Sequence, residues 1–255
     1  MNMAIQHQDF FYVNPEDVQK SHLILKDEEF HHAVHVHRKQ INQIIWAVNG
    51  RGLAYECLVT DIKKDALVAK ILNMYHNLSE PAFKLHLGFA LIKGSKIDWL
   101  IEKGTEVGVS AFLPFISSRT EINVTSTKIQ RWQRLTLSAM KQCGRSWKPK
   151  IEDPQHFEKL CKNFTGEVKL IAHEAEEQFS LKKYLARYNS KNVPQSGIIL
   201  IGPEGGFTDQ EIMLAISCGF QPISLGSRRL RSETAAVVGA ALLLSEMESF
   251  IRNNS

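Results

Sequence analysis

The sequence predicts an α/β protein, with a small N-terminal β-barrel or curled sheet followed by a larger domain built on a mostly parallel sheet. Three observations carry this. Up to about residue 75 the apolar runs are short, strand-like and separated by turn signals. From residue 83 onward, strand-length apolar runs alternate with helix-period segments that stop at glycines. The chain has 255 residues and is 44% hydrophobic, which excludes a disordered chain and permits a sizeable core without covalent staples.

The N-terminal strands are expected at 10–13, 44–48, 54–59 and 67–72, with one helix at 27–38 between the first two. Asn49-Gly50-Arg51-Gly52 and Lys63-Lys64-Asp65 separate the later runs, and Asn-Gly between apolar runs is a strong hairpin signal. The polar stretch 76–82 ends at a proline and reads as a linker. The domains are therefore expected at 1–75 and 83–255.

In the second part, strands are expected at 85–92, 111–116, 168–172, 198–201 and 222–225. Helices are expected at 96–107, 128–143, near 181–188, at 208–218, and from Ser232 to about residue 251. Gly108, Gly144 and Gly219 end three of them, and Thr208 with Glu211 makes a capping box.

Several classes are excluded. Cys57, Cys143, Cys161 and Cys218 form no CxxC or CxxH pair, so a zinc ribbon is ruled out and a disulfide scaffold is implausible. The longest apolar run, 235–244, falls short of the roughly 20 residues of a membrane span. No basic leader followed by an apolar segment opens the chain, so a cytoplasmic protein is expected.

The net charge of +4 is unevenly spread. Arg119, Lys128, Arg131, Arg134, Lys141, Arg145, Lys148 and Lys150 face one acid, Glu121, within a single segment. Arg131, Arg134, Ser138, Lys141 and Arg145 fall within about 80° of one another on a helix. That stripe fits phosphate contacts, and a solvated helix face is the competing reading. His31, His32, His35 and His37 cluster; His31 and His35, at i and i+4, could bind a metal, but no carboxylate or cysteine completes a set nearby except Asp27 to Glu29 just upstream, and a helical surface meeting RNA or solvent is the favoured reading.

Two turns at expected strand ends carry the strongest chemical signal. Ile201-Gly-Pro-Glu-Gly-Gly-Phe207 packs Gly202, Gly205 and Gly206 around Pro203 and Glu204, letting backbone approach a ligand. Leu225-Gly-Ser-Arg-Arg-Leu-Arg-Ser-Glu-Thr-Ala235 gathers Arg228, Arg229 and Arg231 at a helix N-terminus, where an anion would relieve their repulsion.

These motifs, with Lys93-Gly-Ser-Lys-Ile-Asp-Trp-Leu-Ile-Glu-Lys-Gly-Thr-Glu-Val-Gly108, Arg131-Trp132 and Gln142-Cys-Gly-Arg145, resemble the bacterial 16S rRNA (uracil-N3)-methyltransferase family, a branch of the SPOUT methyltransferases. The resemblance spans nearly the whole chain. It implies a PUA-like RNA-binding barrel, a SPOUT α/β domain with a C-terminal trefoil knot, and a homodimer acting on 16S rRNA in the assembled small ribosomal subunit. S-adenosylmethionine would lie among Ala172, His173, Gly202, Pro203, Glu204, Gly205, Gly206, Leu225, Gly226, Ser227, Arg228, Arg229 and Leu230. The glycines would leave room for its adenosine, so Gly202→Val is expected to abolish binding while the fold survives.

The implied chemistry is methyl transfer to N3 of a uracil. N3 must lose its proton, and charge develops on the flanking carbonyl oxygens. Arg231 is the expected cation there, Arg119 the second choice, and Glu233 a candidate proton acceptor. The last competes with a plain helix N-terminal carboxylate. Arg131, Arg134, Lys141 and Arg145 are expected to hold RNA phosphates, and no metal is needed. The alternatives are ribose 2′-O methylation and a non-catalytic RNA-binding module. The chain departs from the family at Arg229, where an aliphatic residue is usual, near Ser138 and Lys141, where acids are usual, and at Gln8 and Asp9.

Overall fold

The computed structural model describes residues 9–92, 94–120, 124–176, 179–189 and 192–254. Gln8, Lys93 and Glu121, named above, lie outside them. The described chain divides into two compact units. One comprises residues 1–80 with 137–148, the other 81–136 with 149–255.

The first unit is a curled five-stranded sheet. Its strands are β1 (Phe10–Tyr12), β2 (His22–Lys26), β3 (Ile44–Val48), β4 (Leu53–Ile62) and β5 (Ala66–His76), in the order β1-β3-β4-β5-β2. β1 runs parallel to β3, and the other pairs are antiparallel. Alternation puts Leu23, Leu25, Ile45, Ala47, Tyr55, Cys57, Val59, Leu67 and Ala69 on one concave core, lidded by Phe30 and Ala33. Register shifts at Glu56/Cys57 and Val59/Asp61 bend the long β4–β5 pair around that core. The expected helix is real but short: α1 (Asp27–His31) passes into a π-helical turn, His32–Val36. β2 was not expected; its burial alternates as a strand's should, though Leu23, Ile24 and Leu25 run together in the sequence.

The second unit is a parallel sheet with helices around it. Its strands are β6 (Lys84–Ala90), β7 (Ala111–Ile116), β8 (Lys150–Ile151), β9 (Gln155–His156), β10 (Val168–Ala172), β11 (Ser196–Ile201) and β12 (Gln221–Ile223). The order is β12-β10-β11-β6-β7-β8, with β9 also paired to β7. Every pair is parallel. The inner strands are apolar on both faces, as a covered parallel sheet requires.

The helices are α2 (Lys96–Val107), α3 (Ser126–Cys143), α4 (Phe157–Asn163), α5 (Leu181–Leu185), α6 (Asp209–Ser217) and α7 (Ser232–Asn254). The Thr208–Glu211 capping box opens α6, and Gly219, at φ +87°, follows its end. α4 was not expected. α7 is apolar and long enough to cross a membrane by length and composition alone. One side of it joins the core, where Ala236, Ala240, Leu243, Leu244 and Met247 are buried with the sheet residues Ile199, Ile201 and Leu85.

Candidate active site

Parallel strands deliver their loops to one edge of the sheet, and here three neighbouring strands end together. The loops after β10, β11 and β12 enclose a cleft of about 1370 Å3 at the carboxyl ends of the strands. Ala172, His173, Gly202, Pro203, Glu204, Gly206 and the whole of 225–231 line it. His173 N donates to Ile223 O at 3.0 Å, tying the first loop to the last strand. The turn 203–206 is closed by Gly206 N donating to Pro203 O at 2.9 Å. Lys96, Glu174, Glu176, Ser180 and Ser232 also line the cleft, and sequence reasoning missed all five. Only the pairing of strand ends reveals them.

Two ion pairs span the cleft. Lys96, at the start of α2, holds Glu204 of the glycine turn. Arg229 Nε stands 3.7 Å from Glu174 Oε2, so the residue that departs from the family pattern bridges the first and last loops. Both pairs are exposed enough that water screens them.

Gly202 lines the cleft and also packs against its own turn. A Cβ there would meet the Phe207 ring at 3.1 Å, and Phe207 packs on Phe115 and Phe157. The glycine lets the turn lie against an aromatic cluster, so Gly202→Val would disturb the fold as well as the cleft. Gly226 fits the open-backbone role better. Its φ is +111°, which L side chains avoid, and a Cβ there would meet nothing within 4 Å.

Gly205 does not line the cleft. Its carbonyl accepts a hydrogen bond from Arg119 Nη1. Glu211 supports this arrangement. Its Oε2 completes the capping box at Thr208, while its Oε1 accepts from Ser118 N at 2.8 Å and Ser118 Oγ at 3.2 Å. One buried carboxylate thus fixes α6, and through Ser118 the position of Arg119. The capping box is legible in the sequence, but its link to a loop 93 residues away is not.

Of the three catalytic candidates, Arg231 alone lines the cleft. Arg231 is exposed, and its carbonyl accepts from Ala235 N at 2.8 Å, which anchors it to the first turn of α7. Glu233 lies two residues on, outside the lining. Its Oε2 is buried with no hydrogen-bond partner among the described residues. A buried carboxylate oxygen without a hydrogen bond is costly, which sets Glu233 apart from the other buried polar side chains.

The basic helix is corrected in part. Arg145 is 2% exposed, and its guanidinium clasps Glu80 with Nη2 to Oε2 at 2.7 Å and Nε to Oε2 at 3.1 Å. Lys141 Nζ holds Glu29, with both side chains largely buried. A phosphate cannot reach Arg145 there, and it would have to displace a carboxylate at Lys141. Arg131 is 62% exposed and pairs with Asp98 at 2.9 Å. Arg134 is exposed and forms no ion pair among the described residues. The four residues therefore do not form a continuous free stripe.

The four histidines are spread along α1 and the turn after it. The rings of His31 and His35 are 5.1 Å apart, and His37 Nδ1 lies 2.9 Å from Asp9 Oδ2. Among the described residues no three His, Cys, Asp or Glu side chains are placed to hold a metal ion.

Residues 79–244 match a family model described as an RNA methyltransferase domain, and residues 25–72 match an RNA methyltransferase PUA domain. The chain is 34% identical over 233 residues to the ribosomal RNA small subunit methyltransferase E of Mesomycoplasma hyopneumoniae, covering 89% of this chain and 95% of that one. It is 31% identical over 237 residues to the protein of the same name from Synechocystis, covering 93% and 77%. The solved structure of a ribosomal RNA small subunit methyltransferase E from Neisseria gonorrhoeae bound to S-adenosyl methionine superposes with a TM-score of 0.83 at 28% identity, covering 94% of this chain and 98% of that one.

Proposed function

This chain belongs to the family of small-subunit ribosomal RNA methyltransferases E, a SPOUT family, and from that membership we propose that it methylates N3 of a uridine in 16S rRNA. It is an S-adenosylmethionine-dependent rRNA methyltransferase. The observation that carries the reading is the cleft itself. Backbone-rich loops from three adjacent strand ends meet there, with Arg231 on the wall.

The residues present fit the cofactor. The open backbone at Gly226, the positive φ of Gly206 and the carbonyls of the 202–206 turn suit an adenosine held by main-chain groups. Lys96, Arg228, Glu174 and Glu176 offer charges of both signs for its amino-acid end. The pocket exceeds the roughly 300–1,000 Å3 of ordinary ligand sites, leaving room for a nucleobase beside the cofactor.

S-adenosylmethionine supplies an electrophilic methyl group when bound. The chain's own residues do the rest. Arg231 faces the carbonyl oxygens on which charge develops as N3 is alkylated, and its fixed guanidinium lowers that barrier. Glu233 is the candidate acceptor for the N3 proton; its unpaired Oε2 supports that role, and its place behind the cleft wall requires the proton to reach it by way of the Arg231–Ser232 turn. Arg119 acts by bracing the glycine turn at Gly205. Arg131 and Arg134 are the stripe residues left to hold phosphate.

The finer parts of the proposal follow the family. The C-terminal part of the methyltransferase domain is threaded as a trefoil knot. The boundary between RNA-binding and methyltransferase parts falls in 76–82, which spans the start of the methyltransferase match at residue 79 and follows the end of the PUA match at residue 72. The chain works as a cytoplasmic homodimer on the assembled small subunit. The apolar residues of α7 left uncovered support the dimer: Leu242 is 45% exposed, and Val237 and Val238 are half-buried. Isotope-labelled methyl transfer tests the reading, with naked 16S rRNA and assembled small subunits as competing substrates. Label in assembled subunits is expected. No label in either substrate would refute the reading.

A further inference from the structure

The 146–148 segment of the first unit carries an aromatic side chain that the methyl-transfer chemistry does not use. Trp147 is 47% exposed, yet it is held from several sides. Its indole Nε1 donates to Asn77 Oδ1 at 2.7 Å, and its backbone N donates to Glu80 Oε1 at 2.9 Å. The strand-like segment pairs with the 49–52 turn: Gly52 N donates to Ser146 O at 2.9 Å, and Lys148 N donates to Gly50 O at 3.1 Å. Gly52, at φ +92°, is the seat of the ring. A Cβ there would stand 2.6 Å from Cε2, 2.6 Å from Nε1 and 2.8 Å from Cζ2, nearly equal distances that place the ring face-on above it. The Nε1–Cζ2 side of the indole is thus seated on backbone, while much of the rest of the side chain stays open to solvent.

The charges beside it are of one sign. Arg51 forms a β-bridge with Trp147, is exposed, and makes no ion pair among the described residues. Lys148 follows Trp147 directly. The carboxylate bound to the Trp147 backbone, Glu80, is neutralised by Arg145. A half-open aromatic ring that is locked in place and flanked by cations matches the pairing of base stacking with phosphate attraction used to bind single-stranded nucleic acid.

We propose that Trp147 is a stacking platform for an unpaired RNA base, with Arg51 and Lys148 holding the adjoining phosphates. The proposal rests on the rRNA reading above and adds a contact that reading does not contain. It also explains why this chain places a large apolar ring where solvent would otherwise meet it. A base stacks on the platform whatever its identity, so the contact adds affinity and orientation rather than sequence choice.

The test measures binding of a fluorescently labelled single-stranded oligouridine to the full chain, to Trp147→Ala and to Trp147→Phe. S-adenosylmethionine affinity, read by calorimetry, checks that each variant is folded. The proposal expects Trp147→Ala to weaken binding about tenfold and Trp147→Phe to restore most of it. The slope of affinity against salt should stay unchanged in both, because no phosphate contact is removed. RNA should quench tryptophan emission in the wild type, and less in Trp147→Phe. Unchanged binding and quenching in folded variants would overturn the platform alone. Loss of ribosomal-particle binding with unchanged oligonucleotide binding would assign Trp147 to a protein partner instead. A wild-type chain that binds neither oligouridine nor rRNA would overturn the platform together with the reading it rests on.

Discussion

Two arginine-rich segments of this chain look alike in sequence and do opposite things. In 225–231, Arg228, Arg229 and Arg231 are exposed on the wall of a cleft. In 131–145, Lys141 and Arg145 point inward and are neutralised by Glu29 and Glu80. The difference lies in what each segment meets. The first follows a strand end, where chain direction changes and side chains face a gap between loops. The second is a helix flank, and acids from elsewhere in the first unit lie against its end. Arginine density signals an anion, but that anion can be a ligand or the protein's own carboxylate.

The largest expected effect is on the folded state. Arg145→Met would leave Glu80 buried without its cation, and Glu80→Ala would do the converse. Each should cost about 3–5 kcal/mol in denaturant titrations, while Arg145→Met with Glu80→Leu should recover much of the loss. Loss of RNA affinity at unchanged stability would restore Arg145 to the RNA surface.

Arg231→Ala should lower single-turnover methyl transfer about a hundredfold with little change in melting temperature, the behaviour of a lost transition-state donor. Arg231→Lys keeps the charge but not the planar fork, so it should recover only part. If both variants keep normal rates and lose only RNA affinity, Arg231 is another phosphate contact and the cation role falls vacant.

Gly226→Ala should weaken S-adenosylmethionine binding in calorimetry, since forcing a Cβ onto φ +111° costs about 1–3 kcal/mol and moves the loop. Arg134→Ala should reduce RNA affinity only a few-fold, with the salt slope shallower by about 1. A larger fall would mean that the helix carries more of the RNA interface than its ion pairs allow.

The smallest effect is one of pH. Burial pushes the His86 imidazole below its ordinary value, partly offset by its hydrogen bond to Gly197 O at 3.2 Å. The folded state therefore resists the proton while the unfolded chain takes it from about pH 6.5 downward. Stability contributed by neutral His86 is present above that pH and is lost as pH falls toward the lowered folded value. His86→Gln should flatten the stability profile between about pH 7.5 and 5.5. An unchanged slope would place the acid sensitivity elsewhere.

Local signals were legible and long-range ones were not. Helix α2, strand β7, the Thr208–Glu211 box and the glycine turn could be read because each is encoded within a few neighbouring residues. β2 and α4 escaped because β2 offers only the three apolar residues Leu23, Ile24 and Leu25 between polar neighbours, and α4 spans under two helical turns. The stripe was misread because helical spacing tells which side chains share a face, not what opposes them. Gly202 was legible as a close approach, but nothing local in the sequence shows that Phe207 stands against it. Trp147 was passed over because nothing local announces that Gly52 is its seat.

The central claim is that the cleft delivers a methyl group to N3 of a uridine. Its most direct test is mass spectrometry of nucleosides from small-subunit rRNA incubated with the chain and methyl-labelled S-adenosylmethionine. The account predicts label in 3-methyluridine, and its disappearance with Arg231→Ala. Label in a 2′-O-methylated ribose would contradict the assigned chemistry.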